Sequence, residues 1–150
     1  MFDPRSDIKA LFTSNRVTGT DKYSNTAHVD IFLREENEEG VIAREGIIIF
    51  EPPWSSEEIK DADIGGSYDY IPINFDASLY VIRKRNISDY PTFINSIVNT
   101  FRTTVKTNRH SLTSCDDAKV TMLYSPAVPT QARKMEFKRT MQVTCWKLTS

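Results

Sequence analysis

The sequence has no long apolar run, little cysteine and almost no net charge, and each shortage excludes a class of protein. Its longest uninterrupted apolar stretches, Ile47–Phe50 and Leu79–Ile82, are four residues each, against roughly 20 for a membrane-spanning helix. No membrane partner is expected. Met-Phe-Asp-Pro-Arg-Ser-Asp at the start lacks the basic and apolar regions of a secretory leader, so the chain is expected in a reducing compartment. Its 2 cysteines, Cys115 and Cys145, are then expected as thiols. With 5 Gly and 7 Pro in 150 residues, collagen-like and low-complexity architectures are out. Also missing are the phosphate-binding, dinucleotide-binding and nucleophile-elbow glycine patterns, the His-Glu-x-x-His zinc helix and Cys-x-x-Cys. No enzymatic activity and no cofactor are expected.

What is present is ordinary globular material, 39% hydrophobic and 26% charged. At this length one domain over residues 1–150 is the expectation, burying about 70% of the surface of the unfolded chain. Asp3 and Pro4 read as an N-cap and first helical residue, with Ile8, Leu11 and Phe12 on one helical face. A polar stretch, Thr13–Asn25, follows, where Gly19 permits a turn. From Ala27 the apolar Val29, Ile31 and Leu33 alternate with His28 and Asp30, the period of a strand. An acidic segment, Glu35–Gly40, then leads into Val41–Phe50, and the pair reads as a hairpin with a charged tip. Pro52-Pro53 ends the second strand, and residues of about 52–69 form a long loop excursion in which Ser55 and Glu58 have the spacing of a one-turn capping box.

Ile71, Ile73, Phe75, Ala77, Leu79 and Val81 alternate with Asn74, Asp76 and Ser78, the clearest strand in the chain. Ser88, Asp89 and Pro91 then open a helix whose Ile94, Ile97, Val98, Phe101 and Val105 fall on one stripe to about Thr107. Asn86-Ile87-Ser88 matches a glycosylation acceptor, but Ser88 is read as the helix cap. A loop over Asn108–Asp117, a short strand Lys119–Tyr124, a Pro-containing loop from Pro126 to Pro129 and a final strand carrying Phe137, Met141, Val143 and Cys145 complete the order. Arg139 interrupts that last apolar row, which suggests a bulge or the point where that face leaves the core. The fold class expected is α+β, a mainly antiparallel sheet of about five strands with two helices packed on one face.

The net charge of −1 conceals an asymmetry. Residues 1–76 hold 16 acids and 7 bases, a net −9, whereas residues 77–150 hold 4 acids and 12 bases, a net +8. Solvated strand faces account for such a pattern without function. If folding keeps the two halves apart, copies can instead associate basic side to acidic side and close into a ring. The alternative use of the basic half is nucleic-acid binding through Arg83, Lys84, Arg85, Arg133, Lys134, Lys138 and Arg139, although no aromatic stacking pattern is interleaved with these bases.

Three smaller constellations have ordinary explanations. His28 and Asp30 share a strand face, the geometry of a base with its orienting carboxylate, but no nucleophile accompanies them. Cys115, Cys145 and His110 form a metal set only if folding gathers them, and Cys145 is more simply a buried apolar residue. Asp116-Asp117 precedes a strand and is expected to cap or solvate it. Trp54, between Pro53 and Ser55, either folds back onto the domain or anchors a partner.

Asp7-Ile8-Lys9-Ala10-Leu11-Phe12, a hairpin, the long strand Tyr70–Arg83, a helix opened by Ser88-Asp89-Tyr90 and the last strand Arg139-Thr140-Met141-Gln142-Val143-Thr144-Cys145-Trp146 follow one another in an order that resembles the small tail-terminator and tail-completion proteins of tailed bacterial and archaeal viruses. The likeness covers most of the chain as an order of elements, although the 52–69 excursion is not a common feature of that group. It implies a virion protein, assembled in the host cytoplasm, that forms a homo-oligomeric ring, commonly of six subunits, on the tail tube and meets neck or head-completion proteins. Nucleic acid enters that picture only as DNA passing through the ring. Interface candidates are Trp54, Arg83, Arg85, Lys138 and Arg139.

Overall fold

The computed structural model describes residues 2–36, 46–55, 60–61, 69–82, 87–123, 128–129 and 136–149. Helix α1 (Arg5–Ala10) is followed by a 3-10 turn, Thr13–Asn15, and by strands β1 (Arg16–Thr20), β2 (Thr26–Leu33), β3 (Gly46–Phe50), β4 (Lys60–Asp61) and β5 (Asp69–Ile82). Helix α2 (Tyr90–Thr107) precedes β6 (Asp117–Met122), β7 (Val128–Pro129) and β8 (Glu136–Thr149). The fold is α+β, with strands in the order β1-β2-β3-β5-β8-β6, while β4 adds to β5 and β7 adds to β8.

Two long strands form the spine. β5 and β8 pair antiparallel from Asp69↔Thr149 to Ile82↔Glu136 without a break in register. Arg139 therefore marks no bulge. It faces the helices, where its guanidinium donates to Asn95 Oδ1 of α2 at 2.6 Å, so a polar contact fills the gap in the apolar row. Alternate β5 residues Ile73, Phe75, Ala77, Leu79 and Val81 are buried, as the period-two pattern requires.

The expected β2–β3 hairpin is not formed. The two strands run parallel, Asp30↔Ile47 to Leu33↔Phe50, and the sheet is mixed. The reason lies in Ile47–Phe50, every residue of which is buried; a strand buried on both faces belongs in the middle of a sheet, and β3 sits between β2 and β5. Most of the expected charged tip lies outside the described residues, as does Glu58 of the expected capping box; Ser55 Oγ instead donates to the Pro72 carbonyl at 3.0 Å. Pro52-Pro53 interrupts the ladder without releasing the chain. Glu51 N–H donates to Asp76 O at 2.9 Å, and Trp54 exchanges both main-chain hydrogen bonds with Asn74 at 2.8 Å. Between Phe50↔Ala77 and Trp54↔Asn74 one extra residue is accommodated on the proline side, a bulge where proline needs no donor.

A strand, β1, occupies part of the stretch expected as a turn. Its inward side chains are few, since only Val17 and Gly19 are buried, which leaves a weak periodic signal. Gly19 faces α2 so closely that a Cβ there would lie 2.7 Å from Ile97 Cδ1. Its small size, rather than turn conformation, is what the site uses.

At α1, Asp3 Oδ1 accepts the main-chain N–H of Arg5 at 3.1 Å, the bond expected of an N-cap, although the regular helix begins at Arg5. At α2 the cap is Asp89, which accepts from Thr92 N–H at 3.4 Å, and not Ser88. Ser88 N–H instead donates to Asp21 at 3.0 Å. Asp21, in the β1–β2 turn, also accepts from the main chain of Tyr23 and Asn25 and from the Asn25 amide, tying that turn to the start of α2.

α2 lays its buried stripe, Phe93, Ile94, Ile97, Val98, Phe101 and Val105, across the sheet and touches both β1 and β6, the strands at its two ends. The sheet is thus curled around the helix. Phe101 is its centre, stacked on Phe12 at 5.3 Å and edge-on to Phe50 at 5.9 Å, with Phe50 against Phe75 at 4.9 Å. Ile8 of α1 joins the same core, so both helices lie on one face. No described helix is long and apolar enough to cross a membrane.

Two outcomes follow from this packing. Phe101→Ala is expected to cost about 3–5 kcal/mol in a urea unfolding titration, because it opens a cavity touching both helices' contacts with the sheet. For Asp21, burial favours the protonated acid, but the Asn25 amide and the N–H groups of Ser88, Asn25 and Tyr23 outweigh it and bring the pKa down to about 2. A depressed carboxylate stabilises the fold above its unfolded pKa of about 3.9 and stops doing so as pH falls through the folded value. Wild type is expected to be more stable than Asp21→Asn near neutral pH, with the difference shrinking as pH drops from about 4 to about 2.

Candidate functional site

The two ends of the sheet are finished differently. At β1 the edge is closed by α2: Thr20 N–H donates to Ser96 Oγ at 3.0 Å, and Gly19 packs directly on Ile97 and Phe93. At β6 it is open. β6 pairs with β8 on one side, and among the described residues no strand pairs with its other side. Beside that edge runs a groove of about 640 Å³, walled by Arg102 and Lys106 of α2, by Arg109 just beyond the end of that helix, by Lys119 of β6 and by Trp146 of β8. Arg102 and Lys106 are four apart on the helix, which places them on one face.

Only part of this positive charge is compensated. Arg109 Nε lies 3.1 Å from Asp117 Oδ1 and 3.1 Å from His110 Nε2. Among the described residues no carboxylate pairs with Arg102, Lys106 or Lys119. Asp116 and Asp117 hold the start of β6, Asp116 accepting from Leu148 N–H at 2.6 Å and Asp117 from Ala118 N–H at 2.8 Å.

On the sheet face away from the helices lies a second charged cluster. Arg34 is paired with Glu51 through two donors, one of them Nε at 2.9 Å, and this hydrogen bonding holds the Glu51 carboxyl below its usual range. Lys138 Nζ sits 5.5 Å from the centre of the Tyr80 ring. Asp76, nearby, is pushed up by burial and by the Glu51 charge, with Lys138 acting in the opposite direction. Asn74 Oδ1 accepts from Thr144 at 2.6 Å and Gln142 at 3.2 Å.

These placements redraw the list of interface candidates. Lys138 and Arg139 are consecutive on β8 and face opposite sides of the sheet, so they cannot serve one flat surface; Arg139 is engaged by α2. Trp54 is held by its main chain against Asn74 on the second face, yet its side chain is 46% exposed, so it does not fold back into the core. Arg83, Arg85, Lys84, Arg133 and Lys134 lie outside the described residues. Asp30 is paired with Arg16 at 3.1 Å, and neither it nor His28 borders the groove.

The two thiols do meet. Cys115 and Cys145 are both buried and free, and the interaction with Cys115 together with burial pushes the Cys145 thiol up. His110 is occupied instead by Arg109, with Nδ1 3.4 Å from Asp116 O. Among the described residues no three His, Cys, Asp or Glu side chains are placed to hold a metal. The groove residues Arg102, Lys106, Arg109 and Lys119 were not among the sequence candidates, because they are dispersed along a helix and a strand, whereas Arg83-Lys84-Arg85 stand together. The only sequence signal is the helical spacing of Arg102 and Lys106 on the polar side of α2.

Comparison with family models, with curated proteins and with solved structures finds no match.

A carboxylate held at a raised pKa makes its ionised form unfavourable in the fold. Asp76→Asn is therefore expected to raise stability at neutral pH, with the gain vanishing below the ordinary aspartate range, near about pH 4. Thermal unfolding of both proteins across that range checks it; a loss of stability at neutral pH contradicts it.

Proposed function

We propose that this chain is a ring-forming structural subunit, acting as a tail terminator that caps the tail tube of a tailed virus and joins it to a neck or head-completion protein. The observation that carries the self-assembling part is the position of β5. Strands β1 to β4 lie on one side of it and β6 to β8 on the other, so the boundary between the acidic and basic halves of the sequence runs down the middle of the sheet. The described ion pairs keep to that division. Arg5 with Asp3 and Glu35, Lys9 with Glu36, Arg16 with Asp30 and Arg34 with Glu51 all stay within the first half, and Arg109 with Asp117 within the second.

A subunit with an acidic side and a basic side makes heterologous contacts, which close into a ring when the rotation allows. The described carboxylates of the first half mostly have partners of their own. Of the net −9 of residues 1–76, −4 falls on described residues and −5 on residues outside them. The tail-terminator role and the sixfold ring rest on the resemblance in element order, in which the expected β2–β3 hairpin is replaced by a parallel pair.

The uncompensated bases of the groove favour one other reading, a nucleic-acid-binding module. Neutralising three or four phosphates of a single strand gives a slope of log K against log salt of roughly −2 to −3; no retention on DNA or RNA at low salt removes that reading.

Sedimentation velocity at low ionic strength is expected to give a discrete closed oligomer that dissociates at about 1 M salt, where the screening length shrinks to about 3 Å. A monomer at high protein concentration and low salt contradicts self-assembly.

A further inference from the structure

The groove beside β6 offers main-chain groups as well as charge. Asp117, Ala118, Lys119 and Val120 are consecutive, and their side chains alternate between the two faces of the sheet. All four nevertheless border the same groove. That places the outer main-chain edge of β6 along its floor, beside the basic stripe of α2. An unpaired strand edge next to a helix wall is the arrangement that accepts an extended segment as an added strand, the main chain supplying affinity and alternate side chains supplying selection.

The side chains here select for one sign. Lys119 is exposed on β6 itself, and Arg102 and Lys106 are exposed on the wall. A lysine on an open edge rejects apolar and basic strands and accepts an acidic one. At the opposite edge Thr20 N–H is taken up by Ser96 Oγ of α2, and β1, Arg-Val-Thr-Gly-Thr, carries no carboxylate, so it is not the strand that this groove selects. The chemistry that fits is an extended, carboxylate-bearing segment, and the chain carries its whole acidic excess, −9, in residues 1–76.

We propose that the groove between α2 and β6 receives an acidic extended segment from the first half of a second copy of this chain, added as a strand to the open edge of β6 with its carboxylates on Arg102, Lys106 and Lys119. This rests on the ring reading for the source of the strand, and it names the surface and the bonding that reading leaves open.

The test joins sedimentation velocity at low salt to hydrogen exchange of the β6 amides, on wild type, R102E/K106E and the control K22E. All three altered residues are exposed, so folding is expected to be unchanged. The proposal expects wild type and K22E to associate alike, R102E/K106E to associate at least about tenfold more weakly, and amides of β6 to exchange more slowly in the oligomer than in monomer released by salt. Wild-type oligomers with unaltered β6 exchange, or R102E/K106E associating as tightly as wild type, overturn the groove and leave the ring reading standing. A wild-type monomer overturns the ring reading and the source of the strand with it. Retention of single-stranded DNA that R102E/K106E abolishes, without any oligomer, overturns both in favour of nucleic acid.

Discussion

One helix has to cover a sheet that ends in two different strands, and most of the architecture answers to that constraint. α2 carries a single apolar stripe, and burying it from both sides requires the sheet to bend until β1 and β6 each reach the helix. Phe101 is the pivot, in ring contact with Phe12 before β1 and with Phe50 at the end of β3. Buried Arg5 adds a polar tie to the same region, donating to the Phe50 carbonyl at 3.2 Å while its charge is met by Asp3 and Glu35. A buried cation is tolerable only when it is paired in this way.

Because α2 is one straight element and the two sheet ends are not equivalent, its two halves do different things. Its first half fits β1 so tightly that a Cβ at position 19 would displace the Ile97 side chain, and Ser96 takes up an edge N–H. Its second half buries Phe101 and Val105 on the sheet, and its exposed Arg102 and Lys106 border the basic groove beside β6. Closure at one edge and exposure at the other gives the molecule a direction. That polarity is what a head-to-tail assembly needs and a symmetric pair does not.

The elements with a strong single period were legible in the sequence. β5, α2 and the inward row of β8 follow from alternation or helical spacing, and the burial of Phe75, Leu79, Phe101 and Val143 agrees with it. β1 was not legible, because a five-residue edge strand with two inward residues has no period to detect. Strand direction was also hidden. Four consecutive buried residues in β3 announce a central strand but not its partners, and short separation in sequence favoured a hairpin where the fold makes a parallel pair. At the site, contiguous bases drew attention, whereas the groove is assembled from Arg102, Lys106, Arg109 and Lys119 only when α2 is laid beside β6. Lys138 and Arg139, adjacent in the sequence, point to opposite faces of the sheet because neighbours on a strand alternate.

A density map of the assembled oligomer, read at the α2–β6 groove, tests the central claim most directly. The account predicts a neighbouring subunit's first half seated there, with carboxylates in ion-pair contact with Arg102, Lys106 and Lys119 and each subunit related to the next by the same rotation. A two-fold dimer, or a ring in which that groove faces solvent, would contradict it.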